Sequence, residues 1–373
     1  MFSYKLDIKQ KLYEAVIQLE QELSADRAKV KESLHLLRPI MILPFYGFGS
    51  STYVYLKGRV MEKDKKQNDK EEENMGEQSL SMVRRFALSA IPGIRVSASF
   101  AGMQQEVKTN EKGYFEVTFK AGSPFNYDKA GYDVQLKLLE RKTDEDAITA
   151  KGRIFVPESD ARFGVISDMD DTVLVANATS FLGQFKRSLL QDAQERSPFP
   201  GIAALLQVLK GQNNSLFYVS ASQWNLYSFL VNFLEAHHIP KGPLFLRDKA
   251  NQHEENEKRQ HKLNQVCTLL QTYPKLPFIL IGDSGKDDPE IYKQVALDFP
   301  EQVLCIYIRN VADSERMREV QAICDQLQKQ GLNMLLATDT VHIAEHAFKN
   351  GWISLEQLHQ VQQSQKEQQQ DQE

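Results

Sequence analysis

The chain has 373 residues, 42% of them hydrophobic and 25% charged, and its 45 Lys and Arg against 50 Asp and Glu give a formal charge of −5. That length exceeds one ordinary domain and points to two, with the composition of a globular protein. The acidic balance argues against a nucleic-acid partner, which normally requires a basic excess or stripe. It does not exclude a phosphorylated ligand, because a metal ion can supply the missing positive charge.

Leu12, Val16, Leu19 and Leu23 step by four, three and four, the spacing of one helix face, and predict an N-terminal amphipathic helix within residues 1–37. Its polar face mixes Lys, Glu and Gln without a basic bias, so a packing role is expected over a membrane-surface one. Residues 38–160 then alternate: Ile94-Val96-Ala98-Phe100, Phe115-Val117-Phe119 and Val134-Leu136-Leu138 interleave with other residues at period two. Residues 53–60 and 154–156 add strands, and Thr109-Asn110-Glu111-Lys112-Gly113 supplies turn residues for a hairpin between two strands. A small antiparallel β-sandwich domain is expected here. Between Glu62 and Glu77, 11 of 16 residues are charged, which reads as an exposed insertion.

From residue 161 to about 355 short apolar runs alternate with helical patterns. Runs at 163–166, 216–219, 244–246, 278–281, 303–308 and 334–336 read as buried parallel strands. Leu226, Phe229, Leu230, Phe233 and Leu234 mark one of the covering helices. The fold class is therefore α/β, a Rossmann-like parallel sheet preceded by the β domain. Residues 356–373 are Gln-rich, with 8 Gln among the last 14 residues, and are expected to be a disordered tail.

Cys267, Cys305 and Cys324 show neither metal-ligand spacing nor a disulfide framework. Met1 to Gln10 lacks the apolar core of a secretory signal, and no apolar run is long enough to span a bilayer. The expected location is the cytoplasm, with peripheral membrane contact compatible.

In an open parallel sheet, functional groups gather beyond the carboxyl ends of the strands. The first predicted strand runs into Ser167-Asp168-Met169-Asp170-Asp171-Thr172, the second into Ser220-Ala221-Ser222, and the fourth into Gly282-Asp283-Ser284-Gly285-Lys286-Asp287-Asp288. Lys262 lies on the helical segment before that fourth strand. Converging carboxylates repel unless a divalent cation sits among them, and hard oxygen ligands select Mg²⁺. A carboxylate at Asp168 could attack phosphorus, with Asp170 positioned to protonate the leaving oxygen and later to deprotonate water. Ser220 and Lys262 could hold the phosphoryl oxygens. Helix capping is the competing reading for Ser220 or Asp283 taken singly. It does not account for three aspartates within six residues of a buried strand.

The order Asp168-x-Asp170-x-Thr172, Ser220, Lys262 and Gly282-Asp283, at intervals of 52, 42 and 21 residues, resembles the haloacid dehalogenase-like phosphatases. Gly164 to Thr172, Phe217-Tyr218-Val219-Ser220, His261-Lys262, Gly282 to Gly285 and Asp288-Pro289-Glu290-Ile291-Tyr292 look like the actin-patch type of Mg²⁺-dependent phosphatidate phosphatase, and Ile306-Tyr307-Ile308-Arg309 fits that family. The resemblance implies Asp168 as nucleophile, Asp170 as acid/base, and Asp168, Asp170, Asp283 and Asp288 as the Mg²⁺ site, with Asp287 an alternative to Asp288. It implies a phosphorylated lipid at a membrane surface as substrate. The acidic stretch Asn251 to Glu257 departs from the family's pattern.

Little chain is left between the motifs for a large cap, which fits a substrate too big to be enclosed. Lys241, Arg247, Lys249, Lys258, Arg259 and Lys262 could meet anionic head groups, although Glu254, Glu255 and Glu257 dilute that patch. Trp224 could sit at a lipid boundary or in the core. Two other readings compete: a phosphatase acting on a soluble or protein-bound phosphomonoester, and an interaction scaffold with an incidental phosphatase core.

Overall fold

A computed structural model describes residues 39–63, 90–127, 132–142, 147–169, 173, 198–248, 255–311 and 313–370. The predicted N-terminal helix and residues 64–77 of the charged insertion lie outside the described residues, as do Asp170, Asp171 and Thr172. The described chain divides into two compact units, separating between Val156 and Pro157.

The first unit contains β1 (Ile40–Pro44), β2 (Gly47–Gly49), β3 (Tyr53–Glu62), β4 (Arg95–Phe100), β5 (Met103–Lys108), β6 (Tyr114–Lys120), β7 (Asp133–Lys142) and β8 (Ala147–Phe155). β1 and β2 pair in succession with one edge of β3, and β6 pairs with the other, all antiparallel. β4 pairs with β5 and β7, and β7 with β8, again antiparallel. The short parallel pairing of β2 with β8, Gly47 opposite Ile154, joins the two ladders. Period-two alternation sends Val54, Leu56, Val96, Ala98, Val117, Phe119, Val134 and Leu136 into one shared core.

The residues at 109–113 do form a tight turn. Asn110 Oδ1 accepts from Lys112 N and Tyr114 N, both at 3.0 Å, and Gly113 takes the left-handed φ of 75°. The turn does not close the expected hairpin, however. It carries the chain out of β5 into β6, whose partner is β3. Glu62, expected in the exposed insertion, is instead the buried last residue of β3.

The second unit is a six-stranded parallel sheet in the order β11-β10-β9-β12-β13-β14, with β9 (Gly164–Asp168), β10 (Ser215–Gln223), β11 (Leu244–Arg247), β12 (Phe278–Asp283), β13 (Val303–Arg309) and β14 (Met334–Ala337). Its helices are α1 (Ile202–Lys210), α2 (Tyr227–Ala236), α3 (Glu255–Thr272), α4 (Asp288–Asp298), α5 (Ser314–Gln328), α6 (Thr340–Lys349) and α7 (Leu355–Gln370). Every residue of β9, β11 and β12 is buried, as sheets covered on both faces require. The chain is thus an α/β protein with one parallel and one largely antiparallel sheet.

The Gln-rich tail is a correction. Residues 355–370 form α7, which buries Leu358 and Val361. Gln365 Oε1 accepts from Val341 N at 3.0 Å and Gln368 Oε1 from Gly201 N at 2.8 Å. The glutamines satisfy backbone donors at the starts of α6 and α1, work that composition alone does not reveal.

Candidate active site

β9 ends on Asp168 and β12 on Asp283, and α4 opens with Asp288. These three aspartates are buried, and one carboxylate oxygen from each lies within 4.8 Å of the others. Lys262, from α3, enters the same cluster: its Nζ is 2.7 Å from Asp168 Oδ1 and forms an ion pair with Asp288 Oδ1. Burial pulls the Lys262 pKa down, but the charges of Asp168 and Asp288 outweigh it and hold the ammonium well above its ordinary value. Lys262 is therefore a fixed cation at neutral pH.

Tight packing sets the geometry of the β12–α4 turn. Asp283 N donates to Asp288 Oδ2 at 3.2 Å, and Gly285 N donates to Asp283 Oδ1 at 2.7 Å. At Gly282 an added Cβ would lie 2.5 Å from Asp288 Oδ2, so only glycine lets that carboxylate pack against the strand. Tyr292 backs the cluster, fully buried, its hydroxyl donating to Ile281 O at 3.3 Å. Asp287 occupies the N-cap position of α4, is only half-buried, and lies outside the carboxylate cluster that includes Asp288.

Ser220 is fully buried inside β10, one residue beyond Val219, which pairs with Asp168. It caps no helix; its Oγ accepts from Ser222 N at 2.9 Å. Arg247, at the end of β11, braces this segment through an Nε bond to Ala221 O at 2.6 Å. The structure therefore brings Asp168, Asp283, Asp288 and Lys262 into contact and places Ser220 on the adjacent strand end.

Among the other basic residues, Lys241 pairs with Glu235, Arg247 is buried, and Lys258 and Arg259 are exposed. Lys249 lies outside the described residues. Trp224 is 9% exposed with its ring against Tyr227, a core position.

Sequence reasoning missed Arg316 on α5. Its guanidinium donates to Ser284 O at 3.2 Å, Lys286 O at 2.7 Å and both Glu290 oxygens at 2.7 and 2.8 Å, fastening the turn between Asp283 and Asp288. No signal on that polar helix marks it out.

Three carboxylates facing one ammonium form a hard-oxygen donor set with excess negative charge, which suits a small divalent cation. A parallel sheet that gathers such groups at its carboxyl edge has the layout of an enzyme site. Residues 163–310 match the family described as phosphatidate phosphatase APP1, catalytic domain. The segment that carries the motifs' resemblance thus also matches that family's model.

Phosphatidate phosphatase APP1 of Saccharomyces cerevisiae is 31% identical over 189 residues, 47% of this chain and 32% of the yeast protein. An uncharacterized protein of Schizosaccharomyces pombe is 26% identical over 270 residues, 69% of this chain and 43% of its own length. The chain therefore spans less than half the length of these curated relatives. A solved Pnkp1/Rnl/Hen1 complex aligns at 18% identity over 47% of this chain and 58% of the matched one, with a TM-score of 0.30. Among the described residues no helix is long and apolar enough to cross a membrane.

Proposed function

We propose that this chain is a Mg²⁺-dependent phosphatidate phosphatase of the haloacid dehalogenase-like type, acting at a membrane surface in the cytoplasm and releasing diacylglycerol and phosphate. The observation that carries this reading is the buried Asp168–Asp283–Asp288 cluster around Lys262, inside the segment matching the APP1 catalytic domain.

Asp168 acts as the nucleophile. Its carboxylate oxygen forms a bond to phosphorus while the bond from phosphorus to the glycerol oxygen breaks, giving an aspartyl-phosphate. Asp170, two residues on, donates a proton to the departing oxygen, so diacylglycerol leaves neutral. Asp170 then accepts a proton from water as that water attacks phosphorus, which frees phosphate and restores the Asp168 carboxylate. Lys262 keeps Asp168 ionised and aimed, and with Ser220 it holds the phosphoryl oxygens where charge gathers. Asp168, Asp170, Asp283 and Asp288 would hold Mg²⁺, which when bound offsets the repulsion between these acids and an anionic substrate.

The test is phosphate release from phosphatidate in mixed micelles, from an aryl phosphate and from a phosphopeptide, each with Mg²⁺ and with EDTA. Lipid-phosphate hydrolysis that needs Mg²⁺ is the expected result. Release confined to soluble or peptide phosphates would replace the lipid reading with the broader one. No metal-dependent release from any of the three would overturn both.

A further inference from the structure

Arg309 is the last residue of β13 and is only 8% exposed. Its Nε and Nη1 are buried without a hydrogen-bond partner, and no carboxylate of the described residues lies within ion-pair distance. The guanidinium stacks on a ring: Cζ lies 3.3 Å from the centroid of Phe199. Stacking fixes the guanidinium plane but satisfies none of its N–H groups. Burying a cation with unbonded donors is costly, and native structures rarely keep such a group without a use for it.

Its place in the fold supplies the use. Arg309 pairs in register with Asp283 across β12 and β13. Phe199 precedes α1, and Asp339 caps α6 just after β14. All of these lie at the carboxyl edge of the sheet, where the aspartate cluster lies. The strand order puts Ser220 of β10 on one flank of Asp168 and Arg309 of β13 on the other. The two strand spacings from β9 to β13 amount to about 10 Å, a gap that an arginine side chain and an oxyanion together can close. Burial lowers the Arg309 pKa to about 10, with Asp339 and Asp283 opposing the fall, so the side chain is fully charged at neutral pH.

We propose that Arg309 is a substrate-binding residue that donates its unbonded N–H groups to a phosphate oxyanion from the side of the site opposite Ser220. The assignment rests on the phosphatase reading above. The shared ligand chemistry is a phosphate oxyanion, from either the lipid head group or the free product.

The experiment compares wild type, Arg309→Met and Arg309→Lys in Mg²⁺ buffer, in one arm by thermal shift with inorganic phosphate and in the other by kinetics on phosphatidate micelles. Arg309→Met should weaken phosphate binding about ten- to a hundredfold and raise KM for the lipid similarly, with a smaller fall in kcat. Arg309→Lys, which restores the charge but not the planar fork, should recover part of the loss. Without ligand, Arg309→Met should melt at or above the wild-type temperature, because an unbonded buried cation has been removed. Unchanged phosphate affinity and KM would overturn the proposal, as would loss of the fold in both variants. Wild-type protein that hydrolyses phosphatidate while Arg309→Met matches it sinks this assignment alone. Wild-type protein that neither binds nor releases phosphate sinks the phosphatase reading with it.

Discussion

In the antiparallel unit, the buried bases Lys57 and Arg59 lie within the length of β3, and both are matched locally. Lys57 Nζ donates to Glu116 at 2.8 Å across the β3–β6 ladder, and Arg59 donates to Lys112 O at 3.1 Å with its guanidinium over the Tyr114 ring. In the parallel unit, the buried acids lie at strand and helix ends, and three of them crowd one lysine. The first pattern is charge used to complete a sheet. The second accumulates like charge in one place, which destabilises a fold and is retained where chemistry requires it.

Four substitutions probe that contrast. Asp168→Asn should reduce phosphate release by about 10⁴-fold or more, while the melting temperature holds or rises because one of three like charges is gone. A lower melting temperature would mean that Asp168 belongs with the matched charges of the first unit. Lys262→Met should cut activity by about 10²–10³-fold and, in metal-free urea titrations, cost about 3–5 kcal/mol by leaving Asp168 and Asp288 buried without their cation. Added Mg²⁺ should recover part of that stability, and no recovery would argue against a cation site among these acids.

His261 offers a pH test. Burial, then the Arg247 charge, lowers its pKa from 6.5 to about 4, so the folded state keeps the ring neutral while the unfolded chain protonates it near 6.5. Its contribution is present above pH 6.5 and is lost as pH falls toward 4, in total about 1–2 kcal/mol after allowance for its partial exposure. His261→Gln should flatten stability across that window, measured by denaturant melts at pH 7 and pH 4.5. The smallest effect belongs to the antiparallel unit: Glu116→Gln should cost at most about 1 kcal/mol and leave phosphate release unchanged.

The parallel sheet was largely legible because each strand is a continuous apolar run that stops at a polar residue. All six predicted runs became strands, and the acids expected just beyond two of the runs, Asp168 and Asp283, proved to be the last residues of β9 and β12. The antiparallel unit was harder. β1, β2 and β5 escaped notice because Gly47-Phe48-Gly49 is too short to show a period, and Met103 to Lys108 is polar at most positions. The turn at 109–113 was visible, but the pairing of the strand after it with β3 was not, since pairing is set by tertiary contacts that no local pattern encodes. The same limit hid Arg316, whose partners lie 26 to 32 residues away in sequence. It also hid the docking of Gln365 and Gln368.

The parallel contact between β2 and β8 has a consequence for how the protein is made. Gly47 and Ile154 are more than a hundred residues apart, so this junction between the two ladders cannot form until almost the whole first unit has been synthesised. Lengthening the intervening chain adds little to that delay in free-energy terms, because closure entropy grows only with the logarithm of length. Phe155 ends β8 and Gly164 begins β9, so the ribosome releases the closing strand of one body just before it starts the central strand of the next. The first unit can therefore seal its exposed strand edge before the apolar runs of the parallel sheet emerge beside it, which limits mispairing between them.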